Sequence, residues 1–278
     1  MQFRKAHGTG NDFVVLPDEQ GRLHLSDTAV ARLCDRRFGL GADGVLRVVP
    51  TAVAGEDVPD SEGCQWFMDY RNADGSAAQM CGNGARVFVQ YLWDAGLAPL
   101  GEVRFATRGG ARTATPTSDG DICIDMGPAA VGAHDSVGVS AAGNAWTATP
   151  VHVPNPHAVA FVEDLADAGA LLEMPDLDPA YPQGSNVEFV VVRGQDHIAM
   201  RVYERGVGET LSCGTGACAA AVAYLRTRRG GEAADVRVDV PGGTLAVGVR
   251  SDSSVTLTGP TQTVAEGRID PSWLEALR

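Results

Sequence analysis

Apolar and polar positions along the chain fall mostly into strand-length segments, broken by two longer apolar runs that each follow a cysteine. The first run is Val87-Phe88-Val89-Gln90-Tyr91-Leu92 and the second Ala219-Ala220-Ala221-Val222-Ala223-Tyr224-Leu225. They are led in by near-copies of one motif, Met80-Cys81-Gly82-Asn83-Gly84-Ala85 and Ser212-Cys213-Gly214-Thr215-Gly216-Ala217. Small residues before an apolar run predict a helix whose first N–H groups stay free for an anion, with a dipole that favours a nearby thiolate. Two such starts, each led by a cysteine, suggest a carboxylate held by two helix N-termini with a thiol on either side.

The chain opens with a strand, turns at Gly8-Thr9-Gly10, and continues as a strand through Asp12-Phe13-Val14-Val15-Leu16. Gly8-x-Gly10 lacks the strand–helix setting and third glycine of a dinucleotide fingerprint, so it reads as a turn. Ser26 caps a helix expected from Thr28 to Phe38, with Val30, Leu33 and Cys34 on its core face. A turn over Gly39–Gly44 precedes the strand Val45–Val49. Residues 51–63 read as a polar surface loop before the strand Gln65–Tyr70. Asn72-Ala73-Asp74-Gly75 has turn chemistry, and its asparagine amide is also placed to face the cleft of the first cysteine. The Ala/Gly-rich stretch 129–145 reads as an interdomain crossing, and Asp270-Pro271-Ser272-Trp273-Leu274 as a capped terminal helix.

The pattern is duplicated in order. Glu102-Val103-Arg104-Phe105 follows the first cysteine helix and Asp235-Val236-Arg237-Val238 the second. Asp121–Pro128 is echoed by Ser254–Pro260, Asn11-Asp12-Phe13 by Asn155-Pro156-His157, and Asp43–Leu46 by Asn186–Phe189. A repeat of such long period predicts two similar domains, not a solenoid. We expect residues 1–128 to form the first half, with 261–278 packing back on it, and 129–260 the second.

Composition narrows the function. The 278 residues suffice for two cores, and a net charge of −13 argues against nucleic acid or anionic membranes as partners. No apolar run is of spanning length and the N-terminus lacks a signal-peptide core, so a cytoplasmic protein with reduced thiols is expected. The six cysteines have no zinc-type spacing and are too sparse for a disulfide scaffold, so no metal is expected. Lys5 is the only lysine, which argues against a pyridoxal phosphate Schiff base.

Paired thiols acting on one carboxylate suit removal of the α proton and its return on the opposite face, which is racemisation or epimerisation. One cysteine then starts as thiolate and the other as thiol, which is attainable because a thiol pKa of about 8.5 falls at a helix N-terminus. Four residues separate Cys81 from Arg86, one fewer than a cysteine phosphatase needs, and a cysteine protease leaves the duplication unexplained. A redox disulfide pair, two structural cysteines and a binding protein without turnover are the remaining alternatives.

The segments His7-Gly-Thr-Gly-Asn11-Asp-Phe, Gly41-Ala-Asp-Gly, Asn72-Ala-Asp-Gly-Ser76, Met80-Cys-Gly-Asn-Gly-Ala-Arg86, Asn155-Pro-His157, Asn186-Val-Glu188, Glu204-Arg-Gly-Val-Gly-Glu209 and Ser212-Cys-Gly-Thr-Gly-Ala217 closely resemble diaminopimelate epimerase. The resemblance spans nearly the whole chain. It implies an α/β (α+β) fold of two pseudo-symmetric domains, each a curled, mostly antiparallel sheet around its cysteine-led helix. It also implies a cofactor-independent enzyme interconverting LL- and meso-2,6-diaminopimelate in lysine and peptidoglycan precursor biosynthesis, with a small-molecule substrate and a homodimer left open. By resemblance the acid–base pair is Cys81 and Cys213, and His157 and Glu204 tune the thiols. Substrate contacts fall on Asn11, Asn72, Gly82, Asn83, Asn155, Asn186, Glu204, Arg205, Gly214 and Thr215. Of these, Arg205 offers a fork for the distal carboxylate and Glu204 an acceptor for the distal ammonium. Gly44 stands where some members carry a substrate-binding glutamine, Pro154 where a glycine is common, and Val87 where a cysteine often follows. Proline racemase-like and phenazine-pathway enzymes share the fold; the former typically carry histidine where this chain has Asn83.

Overall fold

A computed structural model describes every residue except 57, 133–135, 182–183, 271 and 274–278. In chain order the first elements are β1 (Gln2–Gly8), β2 (Asn11–Pro17), α1 (Asp27–Cys34), β3 (Gly44–Pro50), β4 (Trp66–Asn72), α2 (Gly82–Asp94), β5 (Val103–Phe105), β6 (Arg112–Pro116) and β7 (Ile122–Pro128). There follow β8 (Ala130–Val131), β9 (Val137–Ala141), β10 (Asn144–His152), β11 (Pro156–Phe161), β12 (Asp176–Asp178), β13 (Asn186–Gly194), β14 (His197–Glu204), β15 (Gly208–Thr210), α3 (Gly214–Arg228), β16 (Ala234–Val240), β17 (Gly243–Val249), β18 (Ser254–Gly259) and β19 (Gln262–Arg268). The architecture is mixed α and β, and the chain forms two compact units, Met1–Ile124 with Pro260–Arg278, and Asp125–Gly259.

In the first unit the sheet order is β19-β1-β2-β3-β4, with β2 and β3 parallel and the other neighbours antiparallel. The β1–β2 hairpin turns at Thr9 and Gly10, both at positive φ, which matches the twist of the flanking strands. Phe13 to Leu16 are all buried because β2 is covered on both faces. Val14, Leu16 and Val45 pack with Val30, Leu33 and Cys34 of α1. Phe13 and Leu46 face the first turn of α2, where each approaches Gly84.

The second unit has the order β12-β9-β10-β11-β13-β14-β16-β17-β18, with β8 on β10 and β15 on β14. Helix α3 touches seven successive strands, from β10 to β18. Seven strands laid flat would span about 29 Å at 4.8 Å spacing, nearly three times a helix diameter, so the sheet must curl around α3. Alanine makes this feasible: Ala217, Ala219, Ala220, Ala221 and Ala223 are fully buried and let strands approach on all sides. Parallel pairs recur here as β11–β13 and β14–β16. The register repeats that of the first unit, since Phe13 lies opposite Gly44 and His157 opposite Asn186.

Three expectations change. Helix α1 ends at Cys34, four residues early, because the Asp35 carboxylate accepts from Arg37 and Phe38 N–H and turns the chain. The 51–63 loop is not wholly on the surface: Ala54 and Val58 pack with Cys64 and Phe67 in a small core. The described residues of 129–145 are no crossing, since they lie within the second unit and include β8, β9 and the start of β10, with Val137 and Val139 turned inward on alternate positions. Of the expected terminal helix, Pro271 and Leu274 lie outside the described residues, while Ser272 and Trp273 are helical. Among the described residues no helix is long and apolar enough to cross a membrane.

Candidate active site

Each cysteine is the N-cap of its helix. Cys81 has φ −141° and ψ 121°, Cys213 φ −119° and ψ 115°, and each sulfur accepts an N–H from the third residue on, Gly84 or Gly216, at 3.4 Å. Sulfur thus stands where a serine or aspartate oxygen usually caps a helix, at the positive end of the dipole. Such a position favours negative charge on sulfur.

The surroundings of the two sulfurs differ. Behind α2, a Cβ on Gly84 would meet Leu46 at 3.3 Å and Phe13 at 3.4 Å. Behind α3, a Cβ on Gly216 would meet Glu188 Oε1 at 2.7 Å. By strand register Phe13 corresponds to His157 and Leu46 to Glu188, so the expected match of Asp43–Leu46 to Asn186–Phe189 shifts by one residue, with Gly44 against Asn186. The apolar pair of the first unit is therefore replaced in the second by a hydrogen-bonded pair, His157 Nδ1 to Glu188 Oε1 at 2.7 Å, with no exposed surface on either side chain. The other ring nitrogen of His157 meets Asn155 Oδ1 at 3.0 Å.

Burial pushes the Cys213 thiol well above its ordinary range, and the carboxylates of Glu204 and Glu188 push the same way. Hydrogen bonds from Thr215 and the Gly216 N–H oppose them without prevailing. Burial also raises Glu204, against hydrogen bonds from Thr210 and the Cys213 thiol. Cys213 in this setting holds its proton and donates toward Glu204.

Around Cys81 the groups are amides. The Cys81 thiol donates to Asn11 Oδ1 at 3.6 Å, and Asn83 Nδ2 donates to the same oxygen at 3.3 Å. Asn83 is fully buried beside Arg86, itself fully buried. Burial works to raise Asp12 beside Asn11, but hydrogen bonds from Arg36 and Lys5 prevail and hold its carboxyl far below the usual range.

The remaining expected contacts are placed as follows. Asn186 Oδ1 accepts the Arg205 N–H at 2.9 Å, which ties the start of β13 to the end of β14. The exposed Arg205 side chain lies along Gly184, where a Cβ would come within 2.9 Å of its Cδ. Asn155, His157, Glu204, Cys213 and Thr215 gather at the start of α3 in the second unit, as Asn11, Cys81 and Asn83 gather at the start of α2 in the first. Gly82 and Gly214 are the first residues of those helices and both are buried. Asn72 lies opposite Gly44 in the β3–β4 register, its amide donating to Ser76 within the turn that ends β4. Gly44 has no room for a longer side chain, since a Cβ would lie 2.5 Å from the Arg71 carbonyl. Sequence reasoning assigned no role to Glu188, Asp43, Arg86 or Thr210. A charged residue inside the apolar run Val187–Val190 was the available signal for Glu188, and one inside Ala85–Val89 for Arg86.

The duplicated α/β fold of this chain belongs to a class of folds seen in solved structures. A phenazine biosynthesis protein of the PhzF family from Bacillus anthracis superposes with a TM-score of 0.71 at 14% identity, covering 97% of this chain and 98% of that one. A hydroxyproline epimerase from Agrobacterium vitis, with bound trans-4-hydroxy-L-proline, gives 0.69 at 18% identity, covering 98% and 94%. A family profile described as diaminopimelate epimerase matches residues 3–131 and 149–264. Proteins named diaminopimelate epimerase are 53% identical in Streptomyces coelicolor, over 100% of this chain and 98% of that one, and 47% identical in Thermobifida fusca, over 100% of both. The chain belongs to the diaminopimelate epimerase family.

Proposed function

We propose that the protein interconverts LL- and meso-2,6-diaminopimelate, on the route to lysine and peptidoglycan precursors, by proton exchange between two thiols without a cofactor. The observation that carries this reading is the repeated helix-capping cysteine, joined to membership of the family. In one direction a Cys81 thiolate takes the α proton, and the electron pair left behind spreads into the adjoining carboxylate. The Cys213 thiol then delivers its own proton to the opposite face, leaving Cys213 as thiolate and Cys81 as thiol. The reverse reaction exchanges the two roles.

The proton held on Cys213 by burial, Glu204 and Glu188 supports its start as the acid. N–H groups of Gly82, Asn83, Gly214 and Thr215 supply preorganised donors for the carboxylate as its charge grows. Arg205 takes the distal carboxylate as a fork and Glu204 the distal ammonium, while Asn11, Asn72, Asn155 and Asn186 complete the hydrogen bonds. His157 acts on the thiol chemistry through Glu188 and Glu204.

The test is turnover of LL-diaminopimelate by the reduced protein in deuterated water. The expected result is deuterium at one α carbon of the product, together with formation of the meso isomer. Absence of exchange, or a preference for proline, overturns the substrate assignment.

A further inference from the structure

The two amides beside Cys81 belong to a chain of hydrogen bonds whose ends allow one direction only. At one end Asp43 Oδ2 accepts from Asn11 Nδ2 at 2.9 Å and from the Asp12 N–H at 3.0 Å, while Asp43 Oδ1 accepts from Arg36 at 2.8 Å. Since Oδ2 already accepts the Asp12 N–H and Oδ1 the Arg36 guanidinium, this carboxyl group faces Asn11 as an acceptor and takes its NH2. At the other end Arg86 Nη2 donates to Asn83 Oδ1 at 3.0 Å and to Thr9 Oγ1 at 3.3 Å. A guanidinium accepts nothing, so it must receive the Asn83 oxygen and turn the Asn83 NH2 toward Asn11. Both amides are fixed by groups whose polarity cannot reverse.

We infer, resting on the two-thiol reading above, that Asp43 is a positioning residue which fixes the Asn11 amide so that its oxygen, not its NH2, faces the Cys81 sulfur. A carbonyl oxygen next to sulfur favours the protonated thiol, which can donate, over the thiolate, which cannot. The Gly84 N–H at 3.4 Å favours the thiolate. Among the described residues, the charged groups joined to this network include Asp43, Asp12, Arg36 and Lys5 on the Asn11 side and Arg86 on the Asn83 side. A donor that takes the Asn11 oxygen removes its support for the thiol form of Cys81. An ammonium group, which has donors only, is such a donor, and the thiol proton then passes to water.

The experiment follows Cys81 alone. Full-length, substrate-free protein is alkylated with iodoacetamide across a pH series, and labelling of the Cys81 peptide is quantified by mass spectrometry. In Asp43→Asn the group at 43 can present either an oxygen or an NH2, so the Asn11 amide is no longer held to one direction and can turn its NH2 to sulfur; labelling at about pH 7 rises about threefold or more, equivalent to half a pKa unit. Asn11→Ala, which removes the oxygen outright, gives a rise of the same sign. Adding Asp43→Asn to Asn11→Ala gives no further rise, because Asp43 acts through that amide. Arg36→Ala, which loosens the same loop but leaves the carboxylate in place, keeps the wild-type profile.

An unchanged profile in Asp43→Asn overturns the inference. So does an equal rise in Arg36→Ala, which marks a loosened loop, or a persisting Asp43→Asn effect in Asn11→Ala, which marks through-space charge. Should Asp43→Asn unfold, the Asn11→Ala and Arg36→Ala pair still decides, an unchanged Asn11→Ala profile counting against the inference. Labelling needs no substrate, so a shifted Cys81 profile in a protein that fails to turn over diaminopimelate rejects the function and keeps the positioning role.

Discussion

Replacing His157 and Glu188 by the residues that their counterparts carry, Phe and Leu, separates what the buried pair does for stability from what it does for chemistry. His157→Phe alone removes the partner 2.7 Å from Glu188 and leaves a carboxylate with no exposed surface. Breaking a buried pair in this way costs about 3–5 kcal/mol. Glu188→Leu alone leaves a histidine that can stay neutral, its Nε2–H on Asn155 Oδ1 and its Nδ1 an unpaired acceptor, a cost of about 1–3 kcal/mol. The double substitution restores an apolar pair of matching volume, as Phe13 and Leu46 already form behind α2. Exchange of a buried pair for packed apolar residues is neutral or stabilising by about 1–4 kcal/mol. The double variant should thus be more stable than either single one, a coupling of at least about 4 kcal/mol. Its Cys213 loses the Glu188 carboxylate that helps hold the thiol proton, and kcat should fall at alkaline pH first, where the thiol loses that proton soonest. Denaturant titration and kcat for diaminopimelate measure the two effects. The reasoning fails if the double variant is as unstable as the sum of the singles, or if it keeps wild-type kcat.

Three further predictions rest on other residues. Cys81→Ala and Cys213→Ala should each abolish epimerisation with the fold retained by circular dichroism; near-wild-type turnover in either rejects the two-base route. Arg205→Ala should lower kcat/KM for diaminopimelate about tenfold or more, the worth of a hydrogen bond to a charged group, with no loss toward alanine or proline, and equal losses on all substrates would refute the clamp. Burial pushes the Cys34 thiol up to about 12, so the folded protein keeps a proton that the unfolded chain loses near pH ~8.5. The stability from this thiol is full below the unfolded value. It falls by about 1.4 kcal/mol per pH unit as pH rises toward the folded one, and Cys34→Ala should flatten that slope in denaturation series at alkaline pH.

The parts of the molecule legible in the sequence are those written in local pattern. Cysteine followed by Gly-x-Gly and an apolar run marks a helix start within a few residues, and both starts are where the motif predicts. Turn chemistry placed the Gly8–Gly10 hairpin, and repetition of blocks in order indicated two similar halves. The failures come from information held across the chain. Stretch 129–145 has the composition of a linker, and its inward valines acquire meaning only when β10 pairs beside them. Glu188 looked like a motif member because its importance lies in the β11–β13 register, which sets it beside His157 and under Gly216. Asp43 and Arg86 are separated by 43 positions in sequence and meet only through two asparagine side chains.

Strand β19 has a consequence for how the chain comes to be folded. The second unit is one uninterrupted stretch, Asp125–Gly259, whereas the first closes only when Gln262–Arg268 pairs with β1 and the Ile269 N–H reaches the Met1 carbonyl at 2.7 Å. During synthesis the C-terminal residues emerge last, and domains fold as units as their residues become available. The later-encoded unit is therefore complete while the earlier one still waits with the β1 edge unpaired, an edge that invites wrong partners until it is covered. A released chain ending at Gly259 would carry a complete second unit and a first unit lacking β19, and limited proteolysis of it would cut the N-terminal half preferentially.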